Sequence, residues 1–151
     1  MDDGEVSASC IFCEIASGRM PAPIVFESES WLAFLDHRPL FPGHCLLIPR
    51  EHYATLPDLP AHEAGPLFRV AGLLCSAVEA ALEAQGTFVA INNRISQSVP
   101  HLHVHIVPRR EKDGLKGFFW PRKKYQNASE IETIRDKIQR AMQRLNSSPG
   151  T

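Results

Sequence analysis

The chain has 151 residues, 44% of them hydrophobic and 22% charged, which is one domain's worth of sequence with room for a packed core. Lys and Arg total 16 against 17 Asp and Glu, so the basic excess of a general nucleic-acid or anionic-membrane binder is missing. No apolar run approaches the 18 residues of a membrane span, so no membrane segment is expected.

Residues 1–9 and 146–151 are small and polar and read as disordered ends. Met1-Asp2-Asp3-Gly4-Glu5 has no apolar h-region. A cytoplasmic protein with reduced or metal-bound cysteines is therefore expected. Prolines and glycines punctuate residues 21–60, which predicts short strands and turns. Ile24–Glu27 and Trp31–Leu35 read as a hairpin, and His44–Ile48 as a third strand ended by Pro49. Leu67, Val70, Leu74, Ala77, Val78, Ala81 and Leu82 recur at three- and four-residue steps. That spacing predicts a helix over 60–85, with Gly86 as its stop. Thr87–Ile91 and Val99–Val107 complete the strands. Ser129 and Glu132 form a capping box for a second helix to about Leu145, with Ile131, Ile134, Ile138, Met142 and Leu145 on one face. The order β-β-β-α-β-β-α predicts an α+β fold, a five-stranded antiparallel sheet with helices on one side. Neither a GxGxxG nor a Walker motif is present.

The chemistry concentrates in Gln97-Ser98-Val99-Pro100-His101-Leu102-His103-Val104-His105-Ile106-Val107. Period two on a strand puts His101, His103 and His105 on one face and Leu102, Val104 and Ile106 on the other. Burial of the apolar three, roughly 1.5–3 kcal/mol each, fixes the register. A neutral imidazole can attack phosphorus while a neighbour holds its second nitrogen. Alternating histidines on a strand also suit zinc. Spacing alone leaves nucleophile and metal cluster as equal readings.

His-Leu-His-Val-His-Ile-Val resembles the signature of the histidine triad (HIT) superfamily of nucleotide hydrolases and transferases. The likeness extends to Cys10-Ile11-Phe12-Cys13-Glu14-Ile15, Phe34-Leu35-Asp36, Pro42-Gly43-His44 and Ile48-Pro49-Arg50-Glu51-His52, and is most similar to the Hint-like branch. The resemblance implies that His103 is the nucleophile and forms a nucleotidyl-histidine intermediate. His101 and His105 orient it, and His44 supports the triad from the neighbouring strand. Gln97, Ser98 and one of Asn92 or Asn93 meet the α-phosphate. Asp36 holds the ribose, and Ile11, Phe12, Ile15, Leu35 and His37 line the base pocket. Hydrolysis of a nucleoside phosphoramidate or a dinucleoside polyphosphate is implied, on a purine nucleotide or nucleotide conjugate, by a homodimer that extends the sheet. The alternative is a zinc-stabilised dimer that binds nucleotide as a scaffold with little turnover.

Cys10-x-x-Cys13 lacks the βαβ context of a redox motif, and a tetrahedral zinc site needs two further ligands. The resemblance to bacterial members of the superfamily supplies His52 and His101, hence a structural zinc. Cys45 and Cys75 read as buried small hydrophobes. The HIT-like domain spans residues 10–110, and residues 111–145 form a C-terminal extension beyond the typical Hint-like end. Its aromatic-basic stretch either packs as an appendage or brings Phe118, Trp120 and Arg122 to an active site.

Overall fold

The computed structural model describes residues 10–115 and 122–147, so Phe118 and Trp120 lie outside the described residues. The chain forms two compact units, one ending at Asp113 and one beginning at Gly114. The first contains α1 (Ile11–Ala16), β1 (Ile24–Glu27), β2 (Trp31–Leu35), β3 (Cys45–Pro49), a 3-10 turn (Leu56–Asp58), α2 (Ala61–Leu82), β4 (Gly86–Ala90) and β5 (Val104–Arg109). The strands form one sheet in the order β1-β2-β3-β5-β4, with every neighbouring pair antiparallel.

Strands β2 and β3 read WLAFL and CLLIP, nearly unbroken apolar runs, and both are buried along their length. Such runs require cover on both faces. On one face Ala33, Leu47, Leu102, Val104 and Ile106 pack against Leu67, Val70, Leu74 and Val78 of α2. On the other, Leu32, Phe34, Leu46 and Ile48 pack against Cys10, Phe12 and Ile15. Helices thus cover both sides of the sheet, not one side as expected. A six-residue helix shows too little periodicity to announce itself, so α1 was not predicted.

Other differences are local. Helix α2 ends with Glu83 in the left-handed region at φ 53°, and Gly86 opens β4 instead of stopping the helix. By length and composition α2 is apolar enough to cross a membrane, contrary to the expectation. Its buried stripe of Leu67, Val70, Ala71, Leu74 and Val78 nevertheless belongs to the sheet's core. Strand β5 begins at Val104, not Val99. Ahead of it, Pro100 has no N–H, and the Leu102 N–H donates to the Tyr53 carbonyl at 2.6 Å.

The second unit carries α3 (Ala128–Asn146). Its N-cap is Asn127, whose side chain accepts the Glu130 N–H at 2.8 Å, so the helix starts ahead of the predicted Ser129/Glu132 box. Ile131, Ile134, Ile138, Met142 and Leu145 are exposed.

Candidate active site

The register of the sheet positions the triad. His105 pairs with Leu46 and Val104 with Leu47, so the imidazole shares the face of Leu46 while Val104 enters the α2 core. The alternation continues through the irregular lead-in, where Leu102 joins Val104 and Ile106 in that core. The histidine face lies opposite that core, as the alternation predicts, but it is not open to solvent. His101 is 0% and His103 3% exposed, because α1 lies over them. The Phe12 ring stands edge-on to His103 with centroids 5.1 Å apart, and His103 to His105 at 4.9 Å.

Hydrogen bonds fix where each imidazole carries its proton. The Leu40 N–H donates to His44 Nδ1 at 3.1 Å, so neutral His44 is protonated at Nε2. That nitrogen lies 3.0 Å from His105 Nδ1 and donates to it, which leaves His105 protonated at Nε2. His103 donates Nδ1–H to the His101 carbonyl at 2.7 Å, so its Nε2 keeps a lone pair. No buried side-chain nitrogen or oxygen among the described residues lacks a partner, and Nε2 of His103 has none, so Nε2 meets solvent. His101 donates Nε2–H to the Pro49 carbonyl at 2.8 Å, leaving its Nδ1 as an acceptor. Burial pushes the pKa of His101 and His105 down to about 4 and lowers those of His103 and His44. Loss of hydration is the largest cause for each, and it favours the neutral ring. His44, His105 and Asp36 also gather within 4.8 Å of one another. The Nε2 proton of His44 is committed to His105, which argues against a metal there.

The cavity in front of the triad has a volume of about 310 Å³. His103, His105, Ser98 and Asp36 line it together with Ile11, Phe12, Ile15, Leu35 and His37, the five residues that the resemblance assigned to a base pocket. Asp36 does two jobs: Oδ1 accepts the Arg38 N–H at 3.0 Å, a turn bond, while Oδ2 lies 3.8 Å from His44 Nε2. The sequence reading missed Met20, Pro21, Ala22, Pro23, Phe34, Leu46 and Val99 in the wall. A bond from the Leu35 N–H to the Pro23 carbonyl brings the 20–23 segment there, and no local pattern encodes that pairing.

Three predicted phosphate residues are not in this wall. Asn93 Oδ1 accepts the Leu56 N–H at 2.9 Å. Gln97 accepts the Arg94 N–H at 2.8 Å and donates to the Ala54 carbonyl at 2.6 Å. Both side chains thus shape the loop before the triad, in which Arg94 and Ser96 hold left-handed φ values of 71° and 59°. Asn92 is exposed on the same loop. His44 and His101 are not in the wall either.

A second cluster adjoins the first. Cys10, Cys13, His52 and His101 place one donor atom each within 4.8 Å of all the others. The S···N separations are 3.5 Å (Cys10–His101), 3.2 Å (Cys13–His52) and 3.6 Å (Cys13–His101), with His52 and His101 Nδ1 atoms 3.1 Å apart. Tetrahedral zinc with its usual bond lengths sets S···N at about 3.6 Å and N···N at about 3.3 Å, so the donor set fits. His101 is oriented for ligation by its bond to the Pro49 carbonyl, as a ligating imidazole usually is. Burial and then the Cys10 side chain push the Cys13 thiol up to about 11. A divalent cation reverses that balance. Cys45 lies in the core as a neutral thiol, its pKa raised by burial, and Cys75 packs partly buried against that core.

Residues 17–112 match the HIT domain family. The chain belongs to that family. The HIT protein is 34% identical over 120 residues to adenylylsulfatase HINT3 of Arabidopsis thaliana, covering 75% of this chain and 61% of that relative. It is 33% identical over 120 residues to adenosine 5'-monophosphoramidase HNT1 of Candida albicans, covering 76% and 79%. Among solved structures, it resembles a Zn-bound histidine triad family protein from Mycobacterium smegmatis, with a TM-score of 0.68 and 33% identity over 89% of this chain and 96% of that one. Family membership and hydrolase-named relatives support nucleotide hydrolase activity for this HIT protein. The Cys/His cluster and the zinc-bound neighbour are compatible with zinc.

Proposed function

We propose that this HIT protein cleaves the bond between the α-phosphorus and the leaving group of a nucleoside phosphoramidate or dinucleoside polyphosphate, through a nucleotidyl adduct on His103. One observation carries the reading: the hydrogen-bond pattern leaves the only uncommitted lone pair of the triad's middle ring on Nε2. That lone pair attacks phosphorus, and the bonding pair to the leaving group departs with it. The Nδ1–H bond to the His101 carbonyl stabilises the imidazolium that forms. His105 Nε2–H donates to a phosphate oxygen, and the Ser98 hydroxyl on the wall serves the leaving group. Water then attacks the phosphorus, releasing nucleoside monophosphate and neutral His103. The apolar wall of Ile11, Phe12 and Ile15 takes the base, and Asp36 the ribose.

Cys10, Cys13, His52 and His101 would hold zinc as four protein ligands, a closed structural site that supplies folding energy and no chemistry. A homodimer is part of the same reading. It is supported by β4 at the sheet edge and by exposed Val89, Phe68 and Leu73, and light scattering at graded concentrations tests it.

Acid-quenched mass spectrometry after mixing with adenosine phosphoramidate tests the chemistry. The expected result is an adenylyl adduct on His103, with turnover reduced by about 10³-fold or more in His103→Ala. Undiminished turnover in that variant refutes the mechanism. Tight nucleotide binding without any adduct supports the scaffold alternative.

A further inference from the structure

Helix α1 carries two kinds of side chain in alternation. Cys10 and Cys13 face His52 and His101, while Ile11, Phe12 and Ile15 form one wall of the cavity. Six residues do not sustain a helix by themselves, because the nucleating turn costs more than so few bonds return. Its position therefore depends on what grips it. Three grips are present: packing of Phe12 and Ile15 on the Phe34 face of the sheet, a bond from the Arg50 guanidinium to the Ala16 carbonyl at 2.9 Å, and the Cys/His cluster. The cluster ties α1 through both its thiols to two distant segments, reaching His52 and His101.

We propose that metal binding at this cluster regulates nucleotide affinity: the bound ion clamps α1 as the wall of the cavity, and its loss loosens that wall. The proposal rests on the reading that the cavity takes a nucleotide. The physical link is short, since Phe12 sits between the two cysteines and its ring touches the His103 ring edge-on at 5.1 Å. The ordering cost of α1 is met by the metal in one case and by the nucleotide in the other. Each ligand that has already immobilised the segment spares the second that cost. Linkage then makes the effect reciprocal, because a factor by which zinc tightens nucleotide must equal the factor by which nucleotide tightens zinc.

The test uses the full chain, zinc and AMP. Calorimetry compares AMP binding to zinc-loaded and chelator-treated protein. In parallel, zinc transfer to a chromophoric chelator is titrated to equilibrium with and without saturating AMP. The expected outcome is AMP affinity weaker by about tenfold without zinc, and zinc affinity weaker by the same factor without AMP. Phe12→Ala keeps all four ligands but removes part of the base wall, so it is expected to hold zinc, to bind AMP more weakly with or without the metal, and to show the coupling reduced toward unity. Equal AMP affinity with and without zinc overturns the proposal, as does zinc affinity indifferent to AMP or full coupling in Phe12→Ala. Circular dichroism of the chelated protein accompanies both arms: coupling in an apo-protein that stays folded is the expected result, and coupling that appears only because the chain unfolds overturns the local clamp. A zinc-loaded protein that fails to bind AMP refutes the nucleotide reading itself, and this regulation with it.

Discussion

Acidification isolates the contribution of a single imidazole. Burial holds His105 at about 4, below the roughly 6.5 of an unfolded histidine. Because the folded value is the lower one, the stability linked to His105 is complete above about pH 6.5. It is withdrawn as pH falls toward 4, when the unfolded chain takes up a proton that the folded chain refuses. Moving from pH 7 to pH 5 crosses about 1.5 units of that window, and about 1.36 kcal/mol per unit gives roughly 2 kcal/mol. His105 is partly exposed, so solvent screening trims this to about 1–2 kcal/mol. His105→Gln removes the titration while its amide oxygen can still accept from His44. Urea unfolding of both proteins at pH 7 and pH 5 measures the effect. Acid lability of the Cys/His cluster is common to the two and cancels. Wild type should lose about 1–2 kcal/mol more than the variant over that interval. Equal losses would show that the ring is not held neutral by burial.

Three further perturbations follow from the packing. Leu102→Ala opens the α2-facing core at a residue that is 0% exposed and should cost about 2–5 kcal/mol in chemical denaturation; a loss below 1 kcal/mol contradicts its place there. Gly43→Ala is expected to cost about 1–3 kcal/mol, since Gly43 has φ +99° and a Cβ there would overlap Leu82 Cδ1. Adding Leu82→Ala should relieve only the overlap and leave the backbone strain, so full recovery would refute that division. Cys13→Ser should abolish stoichiometric zinc in the purified protein, measured by elemental analysis, and lower the melting temperature; retained zinc places the metal elsewhere.

The parts of this HIT protein legible in its sequence are those with a period. The alternation at 101–106 specified which residues enter the α2 core, and the three-and-four spacing of Leu67 to Val78 specified α2. Strand ends were less legible, because Pro100 and the Tyr53 carbonyl decide where β5 begins, and these meet only in the folded chain. Helix α1 was hidden by its shortness. The burial of His101 and His103 was hidden for the same reason, since α1 covers them. The cavity wall from Ile11, Phe12, Ile15, Leu35, Asp36 and His37 was legible through family resemblance, not periodicity. Asn93 and Gln97 show the limit of such carry-over. Their polar ends close a loop against residues 54–56, a pairing set by tertiary contact.

The proton pattern of the triad has a consequence for how the chain tolerates change. Three of its determinants are peptide groups: the N–H of Leu40 and the carbonyls of Pro49 and His101. Every amino acid brings a carbonyl, and all but proline bring an N–H. Position 40 can thus drift through nearly the whole alphabet without moving a proton on His44 or, one ring further, on His105. Evolution is free to rewrite that position, and the acid–base polarity behind it is inherited intact through the main chain.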